Sequence, residues 1–226
     1  MARPRKVTPG DTVELDVQKL ALDEMQLSNG ADDDLELQIP YEVRVTIEGT
    51  ASLLYHAYNN EAVAEKARAA KGSTAKKTDN VESYVHRTED GKLGIPGMAF
   101  TAAIANAGRS QQDPRSPRKS MRDLLTASVL PLQEVFPLQP ETENWDYADA
   151  RRVVVQRAAV TRVRPAMRAG WRCAFDLQVS SKEYIPPPML LKLINQAGRF
   201  VGILDFRPTF GRFQVVSFEI VPVSED

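Results

Sequence analysis

Polar and apolar side chains alternate through residues 41–49, "YEVRVTIEG", where Tyr41, Val43, Val45 and Ile47 stand against Glu42, Arg44, Thr46 and Glu48. A period of two puts the apolar set on one face of a β-strand and the charged set on the other. Residues 171–179, "WRCAFDLQV", repeat the pattern with Trp171, Cys173, Phe175, Leu177 and Val179. The β-branched run at 152–163 predicts a further strand. Residues 212–221 predict the last one, with Val216, Phe218 and Ile220 on its apolar side.

Helical spacing governs two segments that nearly copy each other. "IPGMAFTAAIANAGR" (95–109) and "IPPPMLLKLINQAGR" (185–199) share Ile, Pro, Ile, Ala, Gly and Arg at matching places. Proline suits a first helical turn, where its missing N–H is not needed, and a glycine past the last apolar residue closes a helix in the left-handed conformation. Phe100, Ala103, Ile104 and Ala107 in one copy, and Leu190, Leu193, Ile194 and Ala197 in the other, give each helix one apolar face.

In order, the elements are strand 41–49, helix 96–107, strand 152–163, strand 171–179, helix 187–197 and strand 212–221. This order predicts an α+β fold with a ferredoxin-like or RRM-like β-α-β-β-α-β core, in which the matched phrases are the helices of two β-α-β halves. One elaborated domain spanning 1–226 is expected. It carries an acidic N-terminal arm (1–40), a long insertion after the first strand (57–94) and a loop-rich insertion (110–150).

Composition narrows the setting. The 226 residues are 42% hydrophobic, enough for a real core. No apolar stretch approaches the length needed to cross a bilayer, and the basic start "MARPRK" runs into acidic sequence. A soluble, non-secreted protein with no membrane partner is expected. The one cysteine, Cys173, lies on the apolar face of its strand and reads as a buried structural thiol, which fits a reducing cytoplasm.

The net charge of −1 conceals a segregation: residues 1–50 hold 5 basic and 11 acidic side chains, 123–150 hold 6 acidic and none basic, and 151–212 hold 12 basic and 3 acidic. A second basic run, "GRSQQDPRSPRKSMR" (108–122), carries Arg109, Arg115, Arg118, Lys119 and Arg122. Basic surfaces on a chain of near-zero net charge point to a polyanionic partner or to an acidic surface of another subunit, and the other reading is a set of solvated faces paired with the chain's own acidic segments.

Familiar catalytic constellations are missing. The chain has no P-loop, dinucleotide fingerprint, nucleophile elbow or zinc-type cluster, and the acidic "ADDDLELQIP" lacks calcium-loop spacing, so no metal, cofactor or catalytic residue is assigned. His56 is the one candidate base for cleaving a 2′-hydroxyl-bearing backbone. The run "AGRFVGILDFRPTFGRFQVV" (197–216) interleaves Arg199, Arg207 and Arg212 with Phe200, Phe206, Phe210 and Phe213 around three glycines. Arginines pair with phosphates and rings stack on bases, a mixture suited to single-stranded nucleic acid. Two readings stay open for its phenylalanines: base platforms, or core residues of a loop folded onto the sheet.

With "IEGTASLL" leading from the first strand, "LGIPGMAFTAAIANAGR" opening the first helix after a long insertion, and the glycine-containing loop "GILDFRPTFGR", the chain resembles the repeat-associated RNA-binding superfamily of CRISPR systems. Its backbone subunit is the nearest parallel, and a phage single-stranded DNA-binding protein fits the same features. The resemblance implies a single strand bound along the sheet and the glycine loop, with the 57–94 insertion as a thumb between neighbouring copies.

The leading expectation is therefore a non-catalytic protein that binds single-stranded RNA or DNA and forms a homo-oligomer or filament along it. Its contacts would come from Arg109, Arg115, Arg118, Lys119, Arg122, Arg199, Phe200, Phe206, Arg207 and Arg212. A metal-independent ribonuclease using His56, and a phage or virion assembly protein, are the alternatives.

Overall fold

The computed structural model describes residues 13–14, 40–58, 68, 80–155 and 158–221. Twelve strands are present among them: β1 (Val13–Glu14), β2 (Tyr41–Gly49), β3 (Leu53–Leu54), β4 (Gly94–Pro96), β5 (Gln112–Asp113), β6 (Ser116–Ser120), β7 (Val129–Pro131), β8 (Val135–Gln139), β9 (Tyr147–Val155), β10 (Ala158–Met167), β11 (Arg172–Val179) and β12 (Phe213–Val221). Three α-helices accompany them: α1 (Gly97–Ala107), α2 (Arg122–Ser128) and α3 (Pro187–Gln196). The protein is a mixed α+β structure built on antiparallel sheets.

The main sheet runs β1-β12-β2-β11-β8-β4, with β7 also paired to β11. Its centre follows from the alternation. Tyr41, Val43, Val45 and Ile47 of β2, and Cys173, Phe175, Leu177 and Val179 of β11, are all buried, and the helices close over them. Phe100 of α1 stacks on Phe175 with ring centroids 3.9 Å apart, and the Tyr41 hydroxyl donates to the carbonyl of Ile185 just ahead of α3 (2.6 Å). All eight apolar helix positions expected from the repeat are buried, so the matched phrases do brace one sheet.

The glycine that follows each helix has a different purpose from the expected one. Gly108 is right-handed, with φ −64°, and Gly198 is not among the positive-φ glycines. A Cβ at Gly108 would lie 2.3 Å from Leu125 Cδ1, and one at Gly198 would lie 2.2 Å from the carbonyl oxygen of Phe213. Close packing, not a left-handed closure, demands glycine here.

The strand expected at 152–163 as a member of the core sheet is corrected. Those residues divide between β9 and β10, a hairpin that pairs with β3 in a separate three-stranded sheet. The place beside β11 is filled by β7 and β8 from the 110–150 stretch, which is thus not a loop-rich insertion: it holds β5–β8 and α2. Pro131 and Pro137 interrupt that stretch and hide its strand signal, although Phe136 and Leu138 are buried. A β-bulge between Val215 and Ser217 also reverses the expected facing of Val216, which is 45% exposed. Most of the 57–94 insertion and nearly all of the 1–40 arm lie outside the described residues. From the arm, Val13 and Glu14 pair with Ile220 and Glu219.

No helix among the described residues is long and apolar enough to cross a membrane. Cys173 is buried, its thiol within 3.8 Å of the Phe136 carbonyl and pushed up in pKa by burial, as a structural residue should be.

Candidate functional site

The second copy of the repeat ends in a π-helical turn, Ala197–Val201, closed by a bond from the Gly202 N–H to the Ala197 carbonyl (2.8 Å). The widened turn pushes Arg199 and Phe200 outward, and the Phe200 ring is 65% exposed. Arg199 lies over that ring with its guanidinium carbon 5.4 Å from the centroid.

Two cavities meet at Phe200. One, of about 630 Å³, is lined by Arg199 and Arg212 with Thr50, Asn195 and Gln214. The other, of about 370 Å³, is lined by Arg109 and Arg207 with Asn106 and Pro208. Among the described residues no carboxylate lines either one, and none of the four arginines forms an ion pair. Arg109 reaches this groove because it follows α1 as Arg199 follows α3: the repeat delivers one cation from each half to the same place.

Arg207 and Arg212 arrive on the loop 202–211. Its neck is tied by Ile203 N–H to the Gly211 carbonyl (3.0 Å) and by Gly211 N–H to the Ser52 carbonyl (2.9 Å). Gly202 and Gly211 are left-handed (φ 73° and 69°), and so are Leu204 and Phe206 (φ 57° and 60°). Left-handed backbone at non-glycine residues costs roughly 1–3 kcal/mol each and persists where the surroundings enforce it. Here Asp205 N–H donates to the Leu54 carbonyl (3.2 Å), the Asp205 carboxylate pairs with the buried Arg164, and Arg151 lies 4.4 Å from the Phe210 centroid. The Arg212 Nε–H donates to the Pro208 carbonyl (2.6 Å), holding that guanidinium against the loop.

Of the residues named from the sequence, Arg109, Arg199, Phe200, Arg207 and Arg212 converge. Phe206 does not join them as a platform: Arg164 and Arg151 lie 5.4 and 5.7 Å from its centroid and Phe210 meets it edge-on at 6.1 Å, so its ring is engaged in holding the hairpin. Arg115 is neutralised by Asp113 (2.8 Å) in the β5–β6 turn. Arg118 and Lys119 are exposed on β6, and Arg122 is exposed at the start of α2, forming a second basic surface. Asn106, Asn195 and Thr50 escaped the sequence reading; the one signal was an asparagine in the turn before each "AGR".

The open face of the sheet differs from what the resemblance implies. Across β2, β11 and β12 it presents Glu42, Glu48, Asp176 and Glu219 against Arg44 and Arg172. Both arginines are paired, Arg44 with Asp176 (2.8 Å) and Arg172 with Glu48 (3.4 Å). Excess carboxylate and, among the described residues, the lack of an aromatic ring on this face make it a poor surface for a polyanion.

His56 packs against the Tyr84 ring at 4.9 Å, with Nε2 3.3 Å from Arg162 Nη1.

Neither a protein-family model nor a curated protein matches this chain.

Proposed function

We propose that this protein binds single-stranded nucleic acid, without cleaving it, in the groove around Phe200, and that copies assemble along the bound strand. The observation that carries the reading is the set of four arginines, free of carboxylate partners among the described residues, around one exposed phenylalanine. Cations supply salt-dependent attraction to phosphates, and a ring open to solvent supplies the sequence-tolerant stacking that single strands need. Duplex DNA hides the faces of its bases, so a lone ring in a shallow groove suits a single strand.

The same proposal takes the core as ferredoxin-like. The central order β12-β2-β11-β8, with α1 leading from β2 towards β8 and α3 from β11 to β12, supports it. On this view the superfamily of CRISPR repeat-associated proteins, or a phage single-strand binder, remains the relationship to pursue, with the strand on the groove and not on the acidic sheet face. The charge segregation supports self-assembly: acidic segments of one copy meet the basic β5–β6 hairpin of the next.

Fluorescence anisotropy of a short labelled oligonucleotide tests the reading. Binding at about 50 mM salt that weakens steeply towards about 200 mM is expected. Phe200→Ala and Arg207→Ala should each weaken it. Absence of binding at the lower salt to both RNA and DNA overturns the proposal.

A further inference from the structure

The two ends of α1 carry surfaces of opposite charge. At its start, where the Gly97 N–H donates to the Glu134 carbonyl (2.8 Å), lies a cavity of about 510 Å³. Glu89, Asp90, Glu134 and Glu141 line it, all four are exposed, and among the described residues none of them forms an ion pair. Its two cations are already engaged, Arg87 with Glu82 and Lys92 with Glu143 (2.6 Å). Val135 and Pro137 add an apolar part to the lining. Among the described residues no three acids are grouped closely enough to hold a metal ion. The negative charge is spread over a concave surface, which suits several cations on a protein better than one ion.

The complement lies at the other end of α1. From that end the chain passes through Gly108–Ser110 into β5, and the β5–β6 hairpin returns so that the Met121 N–H donates to the Gln111 carbonyl (2.9 Å). Arg118, Lys119 and Arg122 are exposed there, and among the described residues none of them forms an ion pair. The hairpin is preorganised, since the Gln112 side-chain amide donates to the Pro117 carbonyl (3.0 Å) and Arg115 closes on Asp113 (2.8 Å). The eleven residues of α1 set the two surfaces about 16 Å apart. Held at its own end by these bonds, the hairpin does not reach the cavity of its own copy.

We infer that the cavity at the start of α1 receives the β5–β6 hairpin of a second copy, head to tail; the inference rests on the self-assembly proposed above. Because the two surfaces differ and lie at opposite ends, each copy that docks leaves a free cavity at one end of the assembly and a free hairpin at the other, and the contact repeats. Arg109 and the groove at Phe200 lie at the hairpin end of α1, so one groove recurs at every junction. An exposed ion pair multiplies an equilibrium constant by only about two- to fivefold. Three of them favour a neighbouring copy by about tenfold or more, and a strand bound to both copies raises their effective concentration further.

Carbodiimide condensation of the full chain tests the contact without nucleic acid. The reagent joins an amine to a touching carboxylate as an amide, takes up the water and leaves as a urea, so it traps weak ion pairs. At low salt the unaltered protein should give linked dimers and longer multiples, with Lys119 joined to Glu89, Asp90, Glu134 or Glu141 in their peptides. The link between Lys92 and Glu143 within one copy shows that the reagent has worked. Arg118→Glu with Lys119→Glu in one variant, and Glu89→Lys with Asp90→Lys in another, should each reduce linking about tenfold. An equimolar mixture of the two should restore it, because each reversed surface then meets its opposite on the other variant. All four substituted side chains are exposed, so the fold is spared. No linking between copies of the unaltered protein, linking that survives both reversals, or a mixture no better than its parts overturns the inference. Anisotropy of a short oligonucleotide separates this contact from the strand site: binding without linking sinks the contact and leaves the strand site standing, and linking without binding does the reverse.

Discussion

Arg109 and Arg199 stand ninety positions apart in the chain, each just past a matched helix, and they line cavities that share the ring of Phe200. An internal repeat thus becomes a two-sided site. The helices pack side by side on one sheet face, so their C-terminal ends, and the arginines that follow them, emerge at the same edge.

That convergence sets the salt dependence of binding. Each phosphate contact on a single strand contributes about 0.7 to the slope of log affinity against log salt. Arg207→Ala with Arg212→Ala should lower the slope by about 1.4, and Arg115→Ala should leave it nearly unchanged because Asp113 already neutralises that side chain. Anisotropy titrations at several salt concentrations read both.

The strained loop depends on Arg164, whose side chain is 6% exposed and whose carboxylate partner is Asp205. Removing Asp205 strands a buried charge, and Asp205→Ala should cost about 3 kcal/mol in urea unfolding. Replacing both partners by apolar residues, Arg164→Met with Asp205→Leu, should cost much less, since desolvating the pair opposes its attraction. If the double variant is as unstable as the single one, the pair does more than balance its own charges.

At Gly198 a methyl group would press on the Phe213 carbonyl oxygen, an atom at the start of β12 that cannot rotate away. Gly198→Ala should destabilise the fold by roughly 1–3 kcal/mol, the usual range for overpacking, and weaken oligonucleotide binding by shifting the turn that carries Arg199 and Phe200. Thermal unfolding combined with anisotropy measures both effects.

The β5–β6 turn has its own acid limit. Bonds from the Arg115 side chain and then its backbone N–H hold the Asp113 carboxyl down at about 2. Since the folded value lies below the unfolded one of about 3.9, the contribution is complete above about pH 4 and disappears as pH falls through about 2. The unaltered protein should therefore lose more thermal stability across that window than Asp113→Asn does. Parallel profiles for the two proteins would remove Asp113 as the cause.

The periods written in the chain settled β2, β11, α1 and α3, because alternation and helical spacing are local and each buried face was apolar without interruption. Burial of Cys173 and the kinship of the two "AGR" helices followed from the same patterns. Residues 152–163 were legible as extended chain but not as a hairpin outside the main sheet, since a β-branched run does not name its pairing partner. The bulge at Val215–Ser217 turned Val216 outward for a related reason: one extra residue in a strand exchanges its faces, and only the partner strand reveals it. Which cations gather was likewise a matter of tertiary structure. Arg109, Arg199, Arg207 and Arg212 come together because two helix ends and one tied loop meet, whereas Arg115, equally basic in the sequence, is neutralised by a carboxylate two residues away.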